Sequence, residues 1–167
     1  MKVDTKIHGF NLRFAERNDV PLVLEFIKEL ADYEKMLHEV VATEEVLIES
    51  LFERKAAEVI IGELDNKPVG IAVFYHNFST FTGRPGIYLE DLYIKPEMRG
   101  KGIGKILLSY LAKLAVERKC GRLEWSCLDW NEPSIQFYKD MGAVPMDEWT
   151  VYRVHDKALD ELAKNFD

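Results

Sequence analysis

Cysteine is scarce in this chain: there are two in 167 residues, Cys120 and Cys127. They form neither a framework of pairs nor a Cys-x-x-Cys motif, which argues against a disulfide-stapled fold or a thiolate zinc site and predicts reduced thiols. The four histidines, His8, His38, His76 and His155, share no ligand spacing with each other or with the cysteines, so no metal is expected. No apolar run approaches the roughly 20 residues of a membrane span, and Met1 to His8 holds no apolar core of signal-peptide type. The expectation is a cytoplasmic protein without a membrane partner. A basic stripe is also missing: the net charge is -7 and the Lys and Arg residues are interleaved with acids. Nucleic acid is therefore not an expected partner, and a small cationic substrate suits the charge better. No repeat, linker or low-complexity segment interrupts the sequence. With 47% apolar residues, a length of 167 predicts a single domain over residues 1–167 with a sizeable core.

The periodicity predicts an α/β fold. Asn11 to Ala15 reads as a first strand. Asn18-Asp19 and Pro21 then open a helix from about Val20 to Tyr33, with Leu22, Val23, Phe26, Ile27 and Leu30 at helical spacing. Thr43 caps a second helix reaching about Phe52. Glu58 to Leu64 and Val69 to Tyr75 form a hairpin around Asp65-Asn66-Lys67-Pro68. A polar, glycine-bearing loop from Ser79 to Gly86 leads to a strand at Ile87 to Ile94, and a third helix covers Ile103 to Arg118. Arg122 to Leu128 reads as the next strand, holding Cys127. Pro133 opens a short helix that stops at Gly142, Thr150 to His155 reads as a last strand, and Asp156 caps a terminal helix.

Between the strand and the third helix lies Arg99-Gly100-Lys101-Gly102-Ile103-Gly104-Lys105. Three glycines in so short a run let main chain approach a ligand, and the amides that open the helix are unpaired donors at the positive end of its dipole. A phosphate is the natural guest. The spacing fits neither a P-loop, which needs a longer gap before Gly-Lys-Ser/Thr, nor a dinucleotide turn, whose third glycine comes one residue later.

The run instead resembles the Arg/Gln-x-x-Gly-x-Gly/Ala pyrophosphate loop of the GNAT-type N-acetyltransferases, including the Ile-x-Pro at the strand exit, Ile94-Lys95-Pro96. A second stretch supports this: Asn131, a Pro-opened helix and Phe137-Tyr138 before Gly142-Ala143 resemble the second acetyl-CoA signature of that family. The order of elements matches the family along nearly the whole chain. The resemblance implies a mixed, mostly antiparallel central sheet of six to seven strands flanked by helices, with acetyl-CoA as co-substrate and no metal. Its donor site would comprise Leu92, Tyr93, Ile94, Arg99, Gly100, Lys101, Gly102, Ile103, Gly104, Lys105, Asn131, Ser134 and Tyr138.

Acetyl transfer to an amine needs a neutral amine, a donor to the developing oxyanion and a proton for the leaving sulfur. The resemblance makes the Leu92 amide the oxyanion donor and the Tyr138 hydroxyl the acid. Glu90 and Asp91 are neighbours on one strand, which places their side chains on opposite faces. The tetrad Tyr88-Leu89-Glu90-Asp91 resembles that of the spermidine/spermine acetyltransferases and implies Glu90 as the base. No nucleophile motif is present, so direct attack in a ternary complex is expected.

The run Glu29-Leu30-Ala31-Asp32-Tyr33-Glu34 resembles the polyamine branch, which gives Tyr33 and Glu34 contact with a cationic substrate. Leu128 to Asn131 and Glu34-Lys35 look more like the thialysine branch, and both acceptors stay open. Glu148, within Asp147-Glu148-Trp149, is a further substrate-side candidate. The same branches imply a homodimer. Two alternatives stand beside this reading: a protein or peptide N-acetyltransferase, and a non-catalytic acyl-CoA-binding sensor.

Overall fold

The computed structural model describes residues 1–166. The chain divides into two compact units, Met1–Ser126 and the residues from Cys127 onward.

The first unit is a six-stranded sheet in the order β1-β2-β3-β4-β5-β6. The strands are β1 (Lys2–Asp4), β2 (Phe10–Phe14), β3 (Glu58–Leu64), β4 (Lys67–Ser79), β5 (Arg84–Ile94) and β6 (Leu123–Trp125). All neighbours run antiparallel except β5 and β6, which are parallel. The sheet is thus mixed and mostly antiparallel, as expected, with six strands.

Helix α1 (Val20–Tyr33) has its expected bounds, with Pro21 in its first turn, where no helical acceptor exists for the missing N–H. It buries Val23 and Phe26 against Val59, Ile61, Ile71, Val73 and Tyr93 on one face of the sheet. Helix α3 (Ile103–Glu117) packs on β5 and β6. Its last turn sets the Arg118 guanidinium 5.7 Å from the Phe74 ring, which belongs to the opposite face. Layers on both sides explain why Val59 to Glu63 is buried without alternation.

Several expected boundaries differ. β1 is an added edge strand paired with β2. The first strand is Phe10–Phe14, one residue earlier than expected. The second helix has an α-helical half, α2 (Glu44–Ile48), capped by Thr43 accepting from the Val46 N–H at 3.3 Å, and then widens to a π turn over Glu49–Glu53. Half of the loop expected at Ser79 to Gly86 is strand: β4 runs to Ser79 and β5 starts at Arg84, around a turn in which Gly83 has φ +65°. Arg84, Pro85 and Gly86 pair with Ser79, Phe78 and Asn77, so cross-strand pairing outweighs their turn preference. β6 spans only Leu123–Trp125, leaving Cys127 outside it.

The second unit holds α4 (Glu132–Asp140) and α5 (Asp156–Ala163). Asn131 is the cap position of α4, and Gly142 follows it with φ +88°. The strand expected at Thr150 to His155 does not form: these residues are exposed and lie outside regular structure. Alternation of Val151 and Arg153 with their neighbours fits a pleated surface, but strand preference expresses packing on a paired neighbour and is weak without one. His155, not Asp156, takes the cap position of α5.

Candidate active site

A bulge in β5 organises the acidic part of the site. Val73 pairs with Asp91 and Phe74 with Leu89, so Glu90 is the extra residue, opposite no partner of its own. A regular strand would set Asp91 on the α3 face. The bulge shifts the phase, placing Asp91 and Tyr93 with Val73 and Ile71 on the α1 face and Leu92 with Ala72 on the other.

Asp91 meets two other carboxylates there. Burial, and then the charges of Glu90 and Glu34, push its pKa from 3.8 up to about 6. Glu34, just past the end of α1, is half-buried and is also raised by burial. Glu90 is exposed. Burial and the neighbouring negative charges disfavour the Asp91 anion, and a cation placed among the three acids would relieve that. Periodicity alone put Glu90 and Asp91 on opposite faces, and Asp91 entered no assignment. The bulge that joins them has no Gly or Pro to announce it.

The same bulge turns main chain toward an open edge. On the β6 side the Ile87 N–H donates to Arg122 O at 3.0 Å, and pairing with β6 ends at Leu89. Beyond the bulge the Lys95 N–H donates to Val69 O on β4 at 2.9 Å. Alternation from Lys95 therefore directs the main-chain groups of Asp91 and Tyr93 to β4 and those of Leu92 and Ile94 away from it. Among the described residues β6 offers Leu92 and Ile94 no partner, and Ile94 O is taken by Arg99 Nε at 3.0 Å. The Leu92 amide thus faces a gap in the sheet.

The glycine-rich turn follows at once. Pro96–Met98 form a 3-10 turn, Arg99 is extended, and Gly100 and Gly102 adopt φ +75° and +80°, left-handed values that side-chain-bearing residues disfavour. Gly102 is the cap position of α3, and no side chain caps that end. The first helical bond runs from Ile106 N–H to Gly102 O at 3.1 Å, so the amides of Ile103, Gly104 and Lys105 have no helical acceptor. A Cβ built on Gly100 would meet nothing within 4 Å. Lys101 and Lys105 are exposed, with Lys101 Nζ 3.6 Å from Met98 Sδ. The site is an open, positively poled cradle for an anion.

Three of the expected residues are held in contacts with other side chains. The ring of Tyr93 is buried at 5.5 Å from that of Phe26, and its hydroxyl donates to Glu29 on α1. The Arg99 guanidinium lies 4.7 Å from the ring centre of Tyr33, which is 42% exposed.

On the second unit, Asn131 is 8% exposed, and its Oδ1 is buried without a hydrogen-bond partner. A buried amide oxygen in that state costs about 1–3 kcal/mol, which a ligand donor would recover. Ser134 and Tyr138 lie in α4, both half-buried, and the Tyr138 ring stands 5.4 Å from that of Phe137. Glu148 is exposed and outside regular structure.

This fold and these motifs define an acyltransferase class, and comparison with known proteins agrees. The sequence profile of the Acetyltransferase (GNAT) family matches residues 24–143. The chain is 36% identical over 164 residues to the thialysine N-epsilon-acetyltransferase of Bos taurus, an alignment covering 91% of this chain and 96% of that one. It is 31% identical to the human spermidine/spermine N(1)-acetyltransferase-like protein 1, covering 95% of this chain and 24% of that longer protein. Among solved structures, an integron cassette protein from the mobile metagenome of V. cholerae superimposes with a TM-score of 0.79 at 27% identity, covering 95% of this chain and 99% of that one. The chain belongs to the GNAT acetyltransferase family and is an amine N-acetyltransferase.

Proposed function

We propose that the protein transfers the acetyl group of acetyl-CoA to a primary amine of a small cationic molecule, of the thialysine, lysine-like or polyamine kind. The observation that carries this reading is the group of Glu34, Glu90 and Asp91 at the β5 bulge, beside the outward-facing Leu92 amide and the cradle of Gly100 to Gly104. The chain suits the donor: the uncapped start of α3 and the unpaired Asn131 Oδ1 both lack a polar partner of the kind a phosphate and an amide-bearing arm provide. Gly100, Lys101, Gly102, Ile103, Gly104 and Lys105, with the main chain of Arg99, would hold its pyrophosphate. Leu92, Tyr93 and Ile94, with Asn131 and Ser134, would hold its arm. When bound, acetyl-CoA supplies an acetyl group activated as a thioester.

The chain's own groups then have distinct tasks. Glu34 and Tyr33 receive the charged amine, and Glu148 is a further substrate contact. Glu90, exposed at the bulge beside Asp91, takes the ammonium proton. The Leu92 N–H donates to the oxygen on which negative charge develops, and the Tyr138 hydroxyl gives its proton to the departing sulfur.

The alignment with the bovine thialysine acetyltransferase over nearly its full length supports thialysine as the first acceptor to try. The exposed apolar side chains of Val144, Met146, Trp149, Val151 and Tyr152 support a homodimer. The direct test is the rate of acetylation of thialysine, lysine, putrescine, spermidine and spermine, read as kcat/KM. Turnover of a cationic small amine supports the reading, and faster turnover of a peptide overturns it.

A further inference from the structure

Arg99 heads the glycine-rich loop, where a cation suits a phosphate, but its side chain is committed elsewhere. It leaves the 3-10 turn Pro96–Met98 in extended conformation, φ -70° and ψ 158°, just before Gly100 reverses the chain. Its Nε donates back to Ile94 O at 3.0 Å. That bond aims the guanidinium at two tyrosines: the ring centre of Tyr33 is 4.7 Å away and that of Tyr93 is 5.9 Å away.

Tyr93 is itself fixed. It is 3% exposed, and its hydroxyl donates to Glu29, one helical turn before Tyr33 on α1. Glu29, Tyr93, Arg99 and Tyr33 therefore join α1, β5 and the glycine-rich loop through a chain of contacts. Tyr33 and Arg99 are the exposed members of these four residues, and Tyr33 precedes Glu34, whose carboxylate acts on Asp91.

We propose that the side chain of Arg99 is a positioning residue for the amine acceptor, while only its main chain serves the acetyl donor. By stacking on Tyr33 and anchoring on Ile94 O, the guanidinium holds the end of α1 in the orientation that presents Tyr33 and Glu34 to the amine. This rests on the amine acetyltransferase reading above. It also means that the loop receiving the pyrophosphate is the loop that orients acceptor recognition.

The test is Arg99→Gln, which keeps a side-chain amide donor but removes the cation from the tyrosine faces. Three quantities are measured against wild type: the coenzyme A Kd by calorimetry, the KM for thialysine and spermidine, and kcat. A cation over an exposed tyrosine is worth a factor of about two to five in binding. The expected result is a two- to fivefold rise in amine KM, with kcat and coenzyme A Kd within about twofold of wild type. Tyr33→Leu should raise amine KM similarly, and the double variant should be no worse than the weaker single one, because both remove one contact. A roughly tenfold weaker coenzyme A Kd with unchanged amine KM would make Arg99 a phosphate contact and overturn the proposal, as would additive single variants. Wild-type turnover reports on the function itself, and the difference between variant and wild type reports on Arg99.

Discussion

At the scale of the residue, the account turns on a carboxylate held against its preference for charge. Asp91 is destabilised as an anion by burial and by Glu90 and Glu34, and its pKa rises to about 6. Protons bind it more readily in the folded than in the unfolded chain. Its contribution to stability is therefore complete below about pH 4 and is lost as pH rises through about 6. Asp91→Asn, with no charge to bury, should stabilise the ligand-free protein by on the order of 2–3 kcal/mol at pH 7 and by nothing near pH 4, as read by denaturant unfolding at both pH values. Equal gains at both would mean the effect is not one of charge. Glu90→Gln should lower kcat/KM at neutral pH, with the deficit narrowing at higher pH as more of the amine arrives already neutral, read from pH–rate profiles of both proteins. Tyr138→Phe should lower kcat by about 10²-fold or more while leaving the coenzyme A Kd unchanged, as expected for loss of a general acid. Tyr33, Glu34, Glu90 and Tyr138 stood out in the sequence as candidates because each lies in a motif with distinctive neighbours. The burial of Asp91 was not, because it follows from a register shift between two strands that no local pattern records.

At the scale of the element, one inserted residue and two left-handed glycines do the shaping. The Glu90 bulge re-aims Asp91 toward α1 and leaves the Leu92 amide facing the end of β6. Gly102, at φ +80°, opens α3 with no side-chain cap. Gly102→Ala must either adopt that conformation at about 1 kcal/mol or reshape the turn. It should raise the acetyl-CoA KM several-fold while leaving the amine KM near that of wild type, in steady-state kinetics with each substrate varied in turn. Helix α1, β3 and α3 were readable nearly to the residue, since strong periodicity and Pro or Gly punctuation mark them. Thr150 to His155 shows the converse: it alternates like a strand, yet pairs with nothing among the described residues. Likewise Arg84, Pro85 and Gly86 look like a turn but lie in β5, because ten residues of β4 stand opposite that strand.

At the scale of the whole molecule, the two units each carry part of the proposed chemistry. The first holds the acidic group, the Leu92 edge and the anion cradle; the second holds Asn131, Ser134 and Tyr138. Light scattering should report the mass of two chains, and Val151→Glu, which charges an exposed apolar position of the second unit, should shift it toward one. The membership in the acetyltransferase family ties the fold to acyl transfer, and the acceptor is what distinguishes this chain within it. Its acidic group of Glu34, Glu90 and Asp91 predicts an acceptor that is small and cationic. The decisive measurement is the kcat/KM for acetyl transfer from acetyl-CoA to thialysine and spermidine, set against neutral amines and a lysine-containing peptide at matched concentrations. The account predicts that at least one of the two cationic small amines is acetylated with a kcat/KM well above every neutral amine and the peptide. Equal or faster acetylation of the peptide or of a neutral amine would contradict it.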